Sequence, residues 1–385
     1  MRKKYFVVCS IVTMLGLASC DYSRFDFNQN TQQTSKTQER DSIYQIATSN
    51  QIIEVHYENN SIIPTNIEEA VERVYDSVVV INAYKSNGYS AGSGVLFATG
   101  EGVTYVITCH HVIDGASTFE VTLSNQEVYP AALIGGDATT DIAVLAIEKT
   151  GLDVVSFTQD SSTIKVGSTA IVIGNPLGIL ANSVTSGIIS AKSREIKTSD
   201  GTMHTLIQTD AAINSGNSGG GLFNVAGELV GIVSSKYSAS GVEGLGFAVP
   251  ANIARAISTE LCEHGYIEGR YDLGITITDG TYSVGGFFGS RYNVTYISAV
   301  EADGSCYNLL KKDDILTGIR VNYKDSEKQS KELTNINSAS AANDFLSEAN
   351  LSIGDKIVFI IKRNGYNSQE TEVEVEIAQY IYRVN

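Results

Sequence analysis

The chain has 385 residues, room for two domains of ordinary size plus tails. Its hydrophobic fraction of 43% is that of a globular protein, and its formal net charge of −16 excludes binding to nucleic acid or acidic surfaces by bulk electrostatics. Val, Ile, Thr and Tyr are plentiful, Pro is scarce and Trp is absent, a mix that favours strands.

The first residues read as an export signal. "MRKK" is a cationic start, and "YFVVCSIVTMLGLA" is an apolar stretch too short to span a membrane comfortably. It ends in "LASC", which resembles a bacterial lipobox and implies cleavage before Cys20 and acylation of its thiol. Residues 1–19 are thus expected to be a lipoprotein signal peptide. Their removal takes Arg2, Lys3 and Lys4 and leaves a net charge of −19. Residues 20–62 are polar and read as a flexible tether. Of five Cys, Cys9 leaves with the signal and Cys20 carries lipid. Cys109, Cys262 and Cys306 are scattered, which is neither a disulfide framework nor a zinc site, and no metal or cofactor is expected.

In "NIEEAVERVYDS" Ile67, Val71 and Val74 fall at helical spacing, with Asn66 as N-cap and Glu68 and Glu69 in the first turn. A string of short apolar runs follows, from "SVVVINAY" to "DIAVLAI" and from "STAIVIG" to "LGFAVP", punctuated by Gly, Asn, Asp and Ser. Such a pattern predicts an antiparallel β sandwich or barrel. "PANIARAISTELCEHG" predicts a helix with Ile253, Ala256, Ile257 and Leu261 on one stripe and Gly265 past its end. From about residue 268 a smaller unit has five strand-like runs, a helix at "SAANDFLSEANL" and an Asn-Gly hairpin signal in "RNGYN".

Serine hydrolysis needs a hydroxyl nucleophile, an imidazole base, a carboxylate that fixes the imidazole tautomer, and backbone donors for the oxyanion. Only five His are present. His110 and His111 end the run "TYVITC"; Asp141 opens "DIAVLAI"; Ser218 lies in the Gly-rich "INSGNSGGGL". Singly, each has an ordinary structural account; in this order they form a candidate set.

Five stretches, "ITCHHVIDGA", "TTDIAVLAI", "IGNPLGILANSVTSGIISA", "QTDAAINSGNSGGGLFNVAGELVGI" and "GLGFAVP", resemble in order the motifs of the HtrA (DegP/DegS-type) serine proteases. The resemblance implies two chymotrypsin-like antiparallel β-barrels over residues 63–265. It makes His111 the base, Asp141 the orienting carboxylate and Ser218 the nucleophile, with the backbone N–H groups of Gly216, Asn217 and Ser218 as the oxyanion hole. His110 takes the place of a family Asn. Cys109 is read as a small residue at a buried strand end rather than a second nucleophile. Ser215 and Gly221 stand where the family often has Pro, which suggests a softer loop.

Residues 268–380 resemble an α+β PDZ domain of the same family, through "RYDLGITI", "NLLKKDDILTGIRV" and "SIGDKIVFIIKRNG". The implied peptide-binding loop is Tyr271, Asp272, Leu273, Gly274 and Ile275, and C-terminal peptides are its implied ligands. Asp272 is a departure, because a carboxylate beside that loop opposes another. The resemblance further implies an ATP-independent endopeptidase, lipid-anchored to the membrane outside the cytoplasm and acting on misfolded or damaged proteins. It implies a homotrimer built through N-terminal residues such as Tyr57, Ile62 and Ile63. The alternative is a non-proteolytic chaperone or PDZ adaptor that retains the protease fold.

Overall fold

The computed structural model describes residues 54–55, 64–158, 164–175, 182–197, 203–235, 244–284, 290–302 and 304–382. The expected signal peptide, Cys20, Tyr57, Ile62 and Ile63 lie outside them. No helix among the described residues is long and apolar enough to cross a membrane.

The expected tether is not wholly free of structure. Strand β1 (Glu54–Val55) pairs with Thr99 and Ala98 of β3 (Gly88–Gly100). The cause is a vacant edge. β2 (Val78–Lys85) leaves β3 at Val95, so the backbone groups beyond that point need another partner.

Helix α1 (Ile67–Val74) starts where the sequence places it: the Asn66 side chain accepts from Glu69 N–H at 2.9 Å. Its buried face is Ala70 and Val74, whereas Ile67 is exposed and Val71 only half-buried. β2, β3, β4 (Val103–Thr108), β5 (Thr118–Thr122), β6 (Val128–Asp137) and β7 (Ile142–Ile147) follow. They run in the order β3-β2-β5-β6-β7-β4, and β3 also pairs with β4, which closes a six-stranded antiparallel barrel. Every residue of β4 and β7 is buried; β7 reads as an unbroken apolar run, and the two threonines of β4, Thr104 and Thr108, donate their hydroxyls to Lys149 O and Ser93 O.

A second six-stranded barrel holds β8 (Thr169–Gly174), β9 (Ser183–Lys197), β10 (Met203–Thr209), β11 (Gly221–Phe223), β12 (Leu229–Val233) and β13 (Gly246–Pro250), closed by the β9–β10 pairing. The two-barrel expectation thus holds. Between β4 and β5 a single helical turn, α2 (His110–Ile113), stands where the sequence suggests only a strand-to-loop junction.

Helix α3 (Ala251–His264) packs against β6, β7 and β12 and ends at Gly265 in the left-handed conformation (φ 78°), whose N–H reaches Leu261 O at 2.8 Å. The approach is close. A Cβ at Gly135 would lie 2.6 Å from the Gly265 carbonyl oxygen. The buried stripe runs through Ala254, Ser258 and Leu261, with Ile253 and Ile257 at its margin. Ala256, expected inside, is exposed.

The third unit is a sheet with one helix. β14 (Ile275–Val284), β15 (Ser290–Val300), β16 (Ile315–Asn322), β18 (Lys356–Lys362) and β19 (Thr371–Glu376) pair in that order, and β17 (Lys331–Thr334) pairs with β16. α4 (Ala339–Glu348) is N-capped by Ser338 and lies on β14. The Asn-Gly signal does not make a tight hairpin: residues 363–370 separate β18 from β19, with Gly365 at φ 99°.

Asp314 anchors this unit. It is 1% exposed, takes Arg363 Nε and Nη2 at 2.9 and 2.8 Å, and accepts from Lys311 N–H at 2.8 Å. Asp314→Ala strands a guanidinium that is only one-third exposed. It is expected to lower the unfolding free energy of this unit by about 2 kcal/mol, below the value for a fully buried pair because Arg363 keeps some solvent. Urea unfolding checks this; an unchanged midpoint would show the pair to be incidental.

Candidate active site

Strand β4 ends at Thr108, Cys109 caps the turn that follows, and α2 then carries two adjacent His in different directions. His111 Nδ1 lies 3.0 and 2.8 Å from Asp141 Oδ1 and Oδ2, and its backbone N–H donates to Oδ1 at 3.0 Å. Ser234, just after β12 in the second barrel, donates its hydroxyl to Asp141 Oδ2 at 2.8 Å. The Asp141 carbonyl accepts from His110 N–H at 3.0 Å. Asp141 itself is fully buried and sits at φ 60°, uncommon for a residue with a side chain. Burial pushes its carboxyl up, but the bonds from His111 and Ser234 outweigh it and hold the group below the usual carboxylate range. It therefore stays ionised at neutral pH.

The turn that delivers Asp141 is shaped by a second buried carboxylate. Asp137 Oδ2 accepts from Thr140 N–H at 3.2 Å and Thr140 Oγ1 at 2.7 Å, and Arg270 Nη2 approaches it at 3.5 Å.

Ser218 comes from the loop between β10 and β11. Asn214 O accepts from Asn217 N–H at 3.0 Å, and Gly216 at the third position of this four-residue turn has φ 96°. A positive φ there is the type II form, which glycine adopts without strain. Asn217 N–H is thereby committed within the loop, a correction to the three-donor expectation. Among the described residues no backbone acceptor takes the N–H of Gly216 or Ser218. The usable donors narrow to these two.

Ser93 of β3, which has no local mark in the sequence beyond lying between two glycines, organises this loop. It is fully buried. Its Oγ donates to Gly216 O at 2.7 Å and accepts from Asn175 N–H at 2.8 Å, and its N–H donates to Ser218 O at 2.8 Å. Thr108 Oγ1 in turn donates to Ser93 O at 2.7 Å. The spacing leaves no room for side chains. A Cβ at Gly219 (φ 86°) would sit 2.1 Å from Ser93 O, and one at Gly92 would strike Val112 of α2 while lying 3.1 Å from Ser218 O. Gly92 is thus the point where the His turn and the Ser loop face each other.

Ser218 is 3% exposed. Its Oγ lies 2.6 Å from Ser235 Oγ and accepts from Ser235 N–H at 3.0 Å. The resting hydroxyl therefore pairs with Ser235, and among the described residues no hydrogen bond joins it to the His111 ring. Catalytic hydrogen bonds are often loose before substrate arrives.

Gly221 is not simply a loosened position. It lies in β11, paired on both sides, and a Cβ there would lie 2.2 Å from the Phe223 ring. Cys109, His111 and Asp141 have donor atoms within 4.8 Å of one another. These atoms are engaged: Cys109 Sγ donates to Val233 O at 3.2 Å, and burial together with the Asp141 charge pushes its thiol well up. A neutral, fully buried thiol fits the packing role rather than that of a nucleophile or ligand.

The loop of residues 271–275 bends at Gly274 (φ 62°), whose N–H donates to Asp272 Oδ1 at 2.8 Å. Asp272 O and Leu273 O accept from Ser305 and Cys306 N–H at 2.8 and 3.0 Å.

A two-barrel fold with a buried Asp–His pair and a glycine-shaped Ser loop is that of a trypsin-like serine peptidase, and residues 92–232 match the trypsin-like peptidase domain family. The chain is 35% identical over 329 residues to the Do-like serine protease HtrB of Bacillus subtilis, covering 78% of this chain and 69% of that one. It is 40% identical over 288 residues to the Do-like HtrA of the same organism, with 71% and 61% covered. A probable periplasmic DegP-like serine endoprotease of Rickettsia prowazekii is 39% identical over 230 residues, with 58% and 44% covered. The chain belongs to the HtrA (Do-like) family of serine proteases. It spans about three-fifths of the length of the HtrA relative.

Removing one support of a transition-state donor typically slows catalysis by a factor of about ten or more. Ser93→Ala is accordingly expected to slow fluorophosphonate labelling of Ser218 at least about tenfold, followed by mass spectrometry. Labelling at the wild-type rate would show that the Gly216 carbonyl needs no anchor.

Proposed function

We propose that this chain is an ATP-independent serine endopeptidase that works outside the cytoplasm on misfolded or damaged proteins. The observation that carries the reading is the buried Asp141 carboxylate holding His111 Nδ1 beside a loop whose Gly216 and Ser218 amides meet no backbone acceptor among the described residues.

On this reading acyl transfer runs through these residues. A peptide carbonyl entering between the barrels places its oxygen toward the Gly216 and Ser218 N–H groups. Ser218 Oγ leaves Ser235, attacks the carbonyl carbon and passes its proton to His111 Nε2. The imidazolium that forms is stabilised by Asp141, which keeps its negative charge because three donors surround it. His111 then protonates the leaving amine, and the acyl-enzyme breaks down when water repeats the sequence with His111 as base.

Location and anchoring rest on sequence and relatives. The cationic start, apolar stretch and Cys20 support export and lipid attachment, and the Rickettsia relative is named periplasmic. The third unit supports a PDZ-type reading through its strand-and-helix order and the loop at residues 271–275. There the Asp272 carboxylate already occupies the Gly274 amide that an incoming C-terminus would use. Assembly as a trimer belongs to the same reading.

Labelled casein is expected to be cleaved by the wild-type chain and not by Ser218→Ala, and Asp141→Asn is expected to lose about 10⁴ in kcat because His111 would take the wrong tautomer. Equal inertness of wild type and Ser218→Ala would instead favour a chaperone or adaptor. Asp272→Asn is expected to tighten binding of peptides with a free C-terminal carboxylate about tenfold, read by fluorescence polarisation. Unchanged binding would mean that this loop does not hold the carboxylate.

A further inference from the structure

The last residues of the described chain return to the first barrel. After β19 the segment first ties itself to the connection between α3 and the third unit. Gln379 Nε2 donates to Ile267 O and Arg270 O at 2.9 and 3.0 Å, its Oε1 accepts from Gly269 N–H at 3.1 Å, and Tyr380 N–H donates to Arg270 O at 2.8 Å. Three residues beyond Gln379, Tyr382 lies against α2. Its ring meets the His110 ring edge-on with centroids 4.5 Å apart, and it packs on the barrel core. Its hydroxyl donates to Asp114 Oδ1 and accepts from Gly115 N–H, both at 3.3 Å.

α2 is a single turn, and one turn of helix does not hold itself in water. Its start is fixed by Asp141, through His110 N–H and His111 N–H. Its far end is where Tyr382 engages, at Asp114 and Gly115. We propose that Tyr382 is a positioning residue for the His111 turn, and that the C-terminal segment 377–382 is a strap by which the seating of the third unit is transmitted to the catalytic base. The proposal rests on the protease reading for its kinetic consequence but not for its structural one. The ring contact fills the space between His110 and Gly136, where a Cβ on Gly136 would already lie 2.9 Å from the His110 ring and 3.3 Å from Tyr382. Three glycine or aromatic surfaces thus meet at one point behind the base.

The test compares the full chain as wild type, Tyr382→Ala and Tyr382→Phe, with kinetics on labelled casein and hydrogen exchange of residues 110–115. Small misplacements of a catalytic group cost up to about 100-fold in rate, so Tyr382→Ala is expected to lower kcat about tenfold with KM held within about twofold. Exchange at 110–115 is expected to speed up while the amides of β4 and β7 keep their protection. Tyr382→Phe keeps the ring and is expected to recover kcat to within about threefold of wild type. Wild-type kcat and exchange in Tyr382→Ala would overturn the proposal. So would faster exchange throughout the barrel with no recovery in Tyr382→Phe, which would make the residue a general stabiliser. A wild-type chain inert on casein would count against the protease reading alone, and exchange at 110–115 would still decide the strap.

Discussion

One buried carboxylate holds the arrangement together. Asp141 accepts from the His111 backbone, the His111 ring and the Ser234 hydroxyl, so it joins a helical turn of the first barrel to a strand end of the second. Burying an unpaired carboxylate is costly, and the cost is met only when all its donors are in place. The two barrels must therefore approach each other in one register for Asp141 to remain ionised. The same register brings the Ser loop to Gly92 and hence to the His turn.

Around this charge the limiting resource is space. Ser93, Gly92 and Gly219 lie so close that side chains at either glycine would overlap backbone or Val112. The crowding fixes the Ser218 loop from behind through Ser93, and among the described residues no backbone acceptor takes the Gly216 and Ser218 amides at its front. A loop held on one face and open on the other is preorganised for charge that develops only during reaction. Ser235, by pairing with the Ser218 hydroxyl, satisfies a nearly buried polar atom until substrate displaces it.

Much of this was legible in the sequence because each part leaves a local mark. A strand buried on both faces, such as β7, reads as a continuous apolar run, and the α1 cap and the Gly265 stop have their own chemistry. The motifs around His111, Asp141 and Ser218 are local, and the structure bonds His111 to Asp141 and sets the Ser218 loop opposite the His turn across Gly92. The rest depends on contacts distant in sequence. Ser93 acts on a residue 123 positions away, Ser234 on one 93 away, and Tyr382 on one 268 away, and nothing local marks them. The Asn217 amide is indistinguishable in sequence from its neighbours; only the turn geometry shows it spent on Asn214. In sequence Gly221 suggests slack, whereas the Phe223 ring fills the place of its missing side chain. Strand β1 has no mark in the sequence because two residues carry no period, and only the vacant edge of β3 explains it.

The most direct test is a crystal structure of the chain after reaction with a peptidyl phosphonate. The expected adduct is bonded to Ser218 Oγ, with its phosphoryl oxygen about 2.7–3.1 Å from both the Gly216 and Ser218 nitrogens and Asp141 still bonded to His111. An adduct on another residue, or a phosphoryl oxygen turned away from the Gly216 amide, would contradict the account.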